Sequence, residues 1–138
     1  MAKIKAKATW VENIRSIVDN GRVHSVVCDV GPASGGSNSG PSALELALMA
    51  LADCAVTIFT DVAKKSGIAL TKMEVEAEAE KSPDSPKIGP VNMKVHVAGK
   101  ARQALLEAAW RRTEAGCPVM EIFKNPIPVN VELEIVPE

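Results

Sequence analysis

The sequence holds three cysteines, Cys28, Cys54 and Cys117, and none of them stands in a CxxC pair that could hold zinc. Their chemistry, if they have any, is that of reactive thiols. A thiol attacks as its thiolate, and a side chain with a pKa of about 8.5 is only slightly ionised at neutral pH, so a reactive cysteine needs help from nearby positive charge. Cys117 lies between Gly116, a helix-ending residue, and Pro118, which favours the first position of a helix. It therefore sits at a helix N-cap, where unpaired amides and the positive end of the dipole favour a thiolate. The plainer reading of Cys117 is a connecting residue. Cys54 falls in the middle of an apolar run and by position reads as a small buried core residue. Cys28 alternates with Val26 and Val30 and reads as strand packing.

The rest of the chain is ordinary for a globular protein. At 138 residues, with 46% apolar and 24% charged residues, it is expected to form a single domain over 1–138 with a substantial core. A net charge of −1 supplies no field for nucleic acid or an anionic membrane, and no Lys and Arg cluster is interleaved with aromatics. The first ten residues show no basic stretch followed by an apolar one. The apolar stretch 43–63 is interrupted by Glu45, Asp53, Thr57, Thr60 and Asp61, which argues against a membrane span. A cytoplasmic location is expected, where three cysteines do not make a structural disulfide framework. No cofactor or metal site is expected, and the run Glu74, Glu76, Glu78 and Glu80 reads as a solvated strand face.

Several elements must position these thiols. Ile4, Ala6, Ala8 and Trp10 alternate with polar residues and predict a first strand; 15–18 and 23–30 predict two more, joined at Asn20-Gly21 by a tight type I′ turn. The Gly/Ser/Pro segment 31–41 is an exposed connection. From Ser42 the apolar residues point in nearly every direction, so a helix over 42–66 belongs inside the protein, opened by a Ser42 and Glu45 capping box and closed by Gly67. Residues 73–80 and 91–97 alternate as a hairpin. A second helix is predicted over 100–115, a helical turn over 118–124, and a last strand through Val129, Val131, Leu133 and Ile135. The class is α+β, and an all-round apolar helix in a chain this small calls for a dimer to cover it.

The segment Gly40-Pro41-Ser42-Ala43-Leu44-Glu45-Leu46-Ala47-Leu48-Met49-Ala50-Leu51-Ala52-Asp53-Cys54 resembles the GPSPxELxLxALxxC signature of OsmC/Ohr proteins, and Ala115-Gly116-Cys117-Pro118-Val119 resembles their second cysteine motif. Both motifs and the order of elements are shared, so the resemblance covers essentially the whole chain. It implies an OsmC-like fold, with antiparallel sheets around a buried central helix in an intertwined homodimer. It also implies a thiol peroxidase of organic hydroperoxides, with Cys54 as the peroxidatic thiolate and Cys117 as the resolving thiol. A small or protein dithiol would then act as reductant.

In the family an arginine held by a glutamate favours the thiolate. The glutamate position corresponds to Glu45, whose alternative role is the helix cap. A helix starting at Ser42 would set Glu45 opposite Cys54 and roughly 13 Å along the axis. The segment 31–41 contains no arginine, which leaves Arg15 or Arg22, with Arg15 preferred. That missing arginine favours a rival reading, a non-catalytic OsmC-like protein that binds a hydrophobic small molecule at its dimer interface. A third reading is a thiol sensor in which reversible bonding of Cys54 to Cys117 alters a partner interaction.

Overall fold

The computed structural model of the chain describes residues 2–138. It is an α+β protein with two antiparallel sheets and three α-helices among the described residues. The chain divides into two compact units, Met1–Ala50 and Leu51–Glu138.

The first unit opens with a meander of β1 (Lys7–Glu12), β2 (Arg15–Asp19) and β3 (Ser25–Cys28). The alternation beginning at Ile4 does not become strand until Lys7, because β2 ends at Asp19, the partner of Lys7, and a ladder needs both sides. Ile4 is left 95% exposed. The expected type I′ turn is absent as well. The β2–β3 connection runs over residues 20–24, closed by the Asn20 N–H on the His24 carbonyl, and of the Asn-Gly pair only Gly21 takes a positive φ. Side chains explain the wider loop, since Asp19 Oδ1 accepts from the Gly21 N–H and Asn20 Oδ1 from the Arg22 N–H. No residue of β1 is buried and Trp10 is 72% exposed, and in this sheet Cys28 of β3 is the buried residue.

Helix α1 (Ala43–Lys65) starts in the first unit and continues into the second. Its start is a reciprocal capping box: Ser42 Oγ accepts from the Glu45 N–H and Glu45 Oε1 accepts from the Ser42 N–H. Its end is a Schellman turn, in which Gly67 at φ +70° lets the Ile68 N–H reach the Ala63 carbonyl. Ile68, just beyond, is buried in the core.

In the second unit α1 buries a single stripe, Leu51, Ala55, Phe59 and Ala63, at four-residue spacing. Phe59 and Ala63 pack with Ala109 of α2 (Gln103–Gly116) and with Met73 and Val97, which face each other across the hairpin of β4 (Ala69–Glu78) and β5 (Asn92–Lys100). The expectation of burial on all sides is therefore met on one side only within the unit, because one helix and a two-stranded sheet cover only one stripe. Among the described residues α1 is the helix long and apolar enough to cross a bilayer. Its packed stripe is that of a core helix.

Helix α2 begins at Gln103 rather than Lys100, which is still paired with Ala69 in the sheet. A short α3 (Pro118–Lys124) follows. The predicted last strand does not form: residues 126–138 contain no strand, and Val129, Val131, Leu133 and Ile135 are each more than 80% exposed. The alternation is present, but no edge among the described residues takes up its hydrogen bonds.

Candidate active site

Cys54 and Cys117 meet in the second unit. Cys54 stands on α1 beside the buried stripe, three residues after Leu51 and one before Ala55. Cys117 is the joint between α2 and α3: the chain leaves the helical region there, at φ −82° and ψ 107°, and Pro118 starts the next helix. The Cys117 carbonyl accepts from the Glu121 N–H, yet its thiol makes no bond to its own helix. It donates instead to Cys54 Sγ at 2.9 Å. Cys117 is 2% exposed and packs with Leu51 and Met120, and Cys54 packs against the same cluster.

Electrostatics disfavour the Cys54 thiolate. Burial pushes the Cys54 thiol above its ordinary value, and the hydrogen bond from the neighbouring Cys117 and the negative charge of Asp53 push the same way. Only the Val119 backbone N–H acts in the opposite direction. The positive surroundings expected of a reactive cysteine are thus absent from these influences.

A cavity of about 540 Å³ shares wall residues with the cluster that packs around the pair. Leu51, Val91, Met93, Trp110, Met120 and Phe123 line it, and all six also belong to the cluster around Cys117 or pack against it. Glu114 and Lys124 are the charged residues of its wall, and Glu114 Oε1 accepts from Trp110 Nε1 at 2.6 Å. Neither cysteine is itself a lining residue. The arrangement can hold a molecule of moderate size behind the side chains that pack around two thiols already within hydrogen-bond reach of each other.

The other candidates fall in the first unit. Arg15 donates from NH1 to Glu12 Oε1 at 3.0 Å, and its Nε lies 3.8 Å from Asp29 Oδ2, buried and without a hydrogen-bond partner among the described residues. Its ion-pair partners are therefore Glu12 and Asp29. The Glu45 carboxylate is engaged with Ser42, and that bond holds it below the usual carboxylate range. Arg22 is exposed and makes no ion pair among the described residues. Cys28 is buried at the end of β3.

Asp29 had no place in the sequence argument. Its buried carboxylate accepts from Ser39 Oγ at 2.6 Å and from the N–H groups of Val30, Ser39 and Ser37, which together drive its pKa far below the ordinary carboxylate value against the cost of burial. One acid thus organises the loop that precedes α1. A signal was available: a lone acid ends an apolar strand just before a Gly/Ser segment whose amides need acceptors.

Comparison with known proteins adds a family-level result. The sequence model of the family described as OsmC-like protein matches residues 36–132, more than half of the chain. No curated protein sequence is a significant match. Among solved structures, an OsmC-like protein of Mycoplasma pneumoniae superposes with a TM-score of 0.80 at 14% identity, covering 91% of this chain and 89% of that one. An organic hydroperoxide resistance protein OsmC of Legionella pneumophila gives 0.68 at 20% identity, with 91% of each chain covered. An organic hydroperoxide resistance protein of Elizabethkingia anophelis gives 0.67 at 16%, again over 91% of each.

Proposed function

We propose a function on the premise that this chain belongs to the OsmC-like protein family: it is a cysteine-based peroxidase that reduces organic hydroperoxides to alcohols. The observation that carries the reading is the 2.9 Å approach of Cys117 Sγ to Cys54 Sγ, in a cluster that shares its side chains with the wall of a cavity. In the reaction Cys54 sulfur attacks the terminal peroxide oxygen; an S–O bond forms as the O–O bond breaks, and the organic oxygen leaves as alcohol with the available proton. The Cys54 sulfenic acid then condenses with the Cys117 thiol, releasing water and leaving a disulfide that a small or protein dithiol reduces. The names carried by the Legionella and Elizabethkingia proteins support this substrate class.

The family resemblance makes Arg15 the candidate cation for the thiolate; its guanidinium pairs with Glu12 and lies 3.8 Å from Asp29 Oδ2, and it is not among the influences that act on the Cys54 thiol. Glu45 enters as the residue that sets the start of α1. The working form is a homodimer. The exposed strand β1, the exposed sides of α1 and the alternating tail 126–138 all support a second copy as their cover. Such an assembly acts in the cytoplasm, where dithiol reductants are available.

One equivalent of cumene hydroperoxide added to the fully reduced protein is the direct test. Two thiols per chain are consumed, Cys28 survives, and Cys117→Ser leaves a sulfenic acid on Cys54. A second reading, an OsmC-like protein that binds a hydrophobic small molecule, is favoured by the raised Cys54 pKa together with the apolar cavity wall. Survival of all three thiols in the wild-type chain would discard the peroxidase in favour of that binding protein.

A further inference from the structure

The cavity wall carries two sulfurs, both of methionine. Met120, 6% exposed, belongs both to the wall and to the buried cluster of Leu51 and Cys117. Met93, half-buried on β5, lines the same cavity and packs against the same cluster. Because Met93 and Met120 line the cavity and neither Cys54 nor Cys117 does, a molecule inside it lies against the two methionines and has still to reach the thiols. The sequence offers a built-in reference in Met49, which is 54% exposed on α1 and takes no part in the cavity.

We propose that Met93 and Met120 form a second oxidation site, at which an organic hydroperoxide held in the cavity converts a thioether to methionine sulfoxide. The inference rests on the reading above that such peroxides are what the cavity receives. A sulfur lone pair attacks the terminal peroxide oxygen, forming an S–O bond while the O–O bond breaks. Sulfur is oxidised by two electrons, the hydroperoxide is reduced to the alcohol, and the hydroperoxide proton ends on the departing organic oxygen. No further reactant is required. A sulfoxide replaces a flexible apolar side chain by a polar one. Beside the apolar wall residues Leu51, Val91 and Phe123 it weakens the hold on apolar peroxides, so the site limits its own turnover when peroxide is in sustained excess.

The test uses the reduced wild-type protein, exposed in parallel to excess cumene hydroperoxide and to hydrogen peroxide, with peptide mass spectrometry reading every methionine and cysteine over time. The rate of sulfoxide formation at Met93 and Met120 relative to Met49 is expected to be at least about threefold higher with cumene hydroperoxide, because binding in the cavity holds the reactants together. Excess cumyl alcohol, which competes for the cavity, brings that ratio down. A ratio that is the same for both oxidants, or indifferent to the alcohol, overturns the inference whatever the thiols do. Thiols that survive overturn the peroxidase reading whatever the methionines do.

Discussion

Cys54 accepts a hydrogen bond in a place where a peroxidatic cysteine would be expected to be charged, and its behaviour with pH follows from that. Its pKa is raised in the folded chain, by burial first and by Cys117 second. The neutral thiol is thus the form the fold favours, and the stability it contributes is fully present below the unfolded thiol value of about 8.5 and lost as pH rises through the higher folded value. Alkylation of Cys54 by iodoacetamide, followed by peptide mass spectrometry, should accordingly keep climbing with pH past the midpoint of a free cysteine. A plateau already reached at neutral pH would show that a cation outside these influences governs the thiol. Of the two cysteines, Cys117 was the more legible in the sequence, since Gly-Cys-Pro is a local helix-to-helix signal. The balance at Cys54 and the role of Asp29 were not legible, because each depends on groups brought together by folding.

The segment from Cys28 to Glu45 shows how the start of α1 is held. Asp29 gathers the loop amides, the Asp29 N–H itself donates to the Pro41 carbonyl, and the Asn38 N–H donates to the Val30 carbonyl. Gly40 passes so close to β3 that a Cβ there would collide with the Val27 carbonyl oxygen, and one at Gly36 would meet that of Val30. These are backbone atoms and do not move aside. Gly40→Ala is therefore expected to cost about 3 kcal/mol, read as a lowered urea midpoint with an unchanged slope. A neutral outcome would mean that the loop repacks freely. Both ends of α1 could be read in the sequence, because Ser42, Glu45 and Gly67 act within one turn of themselves. The β2–β3 loop could not, since Asp19 and Asn20 redirect its amides by side-chain bonds that compete with the type I′ geometry. The tail 126–138 keeps a strand's pattern without a strand's partner, and a sequence pattern records the face of a strand but not its neighbour.

A meander with Trp10 exposed and a tail with four alternating apolar side chains exposed are the surfaces that the proposed homodimer would cover. Sedimentation at micromolar concentration should give a dimer, and deletion of residues 128–138 should shift it toward monomer; a wild-type monomer would remove the case for a second copy. The placement of the cysteine pair has a mechanical side as well. Cys54 and Cys117 are 63 positions apart in the chain, so oxidation would tie α1 to the α2–α3 joint and turn nearly half of the polypeptide into a closed ring. Restricting the unfolded chain in this way stabilises the oxidised form by about 4 kcal/mol, which corresponds to a Tm higher by roughly 10 °C. Scanning calorimetry of the oxidised and reduced proteins checks this, and equal Tm values would count against the cross-link. Each turnover would then alternate a tethered polymer with an untethered one, so that resistance to heat records whether the protein has last met an oxidant or a reductant.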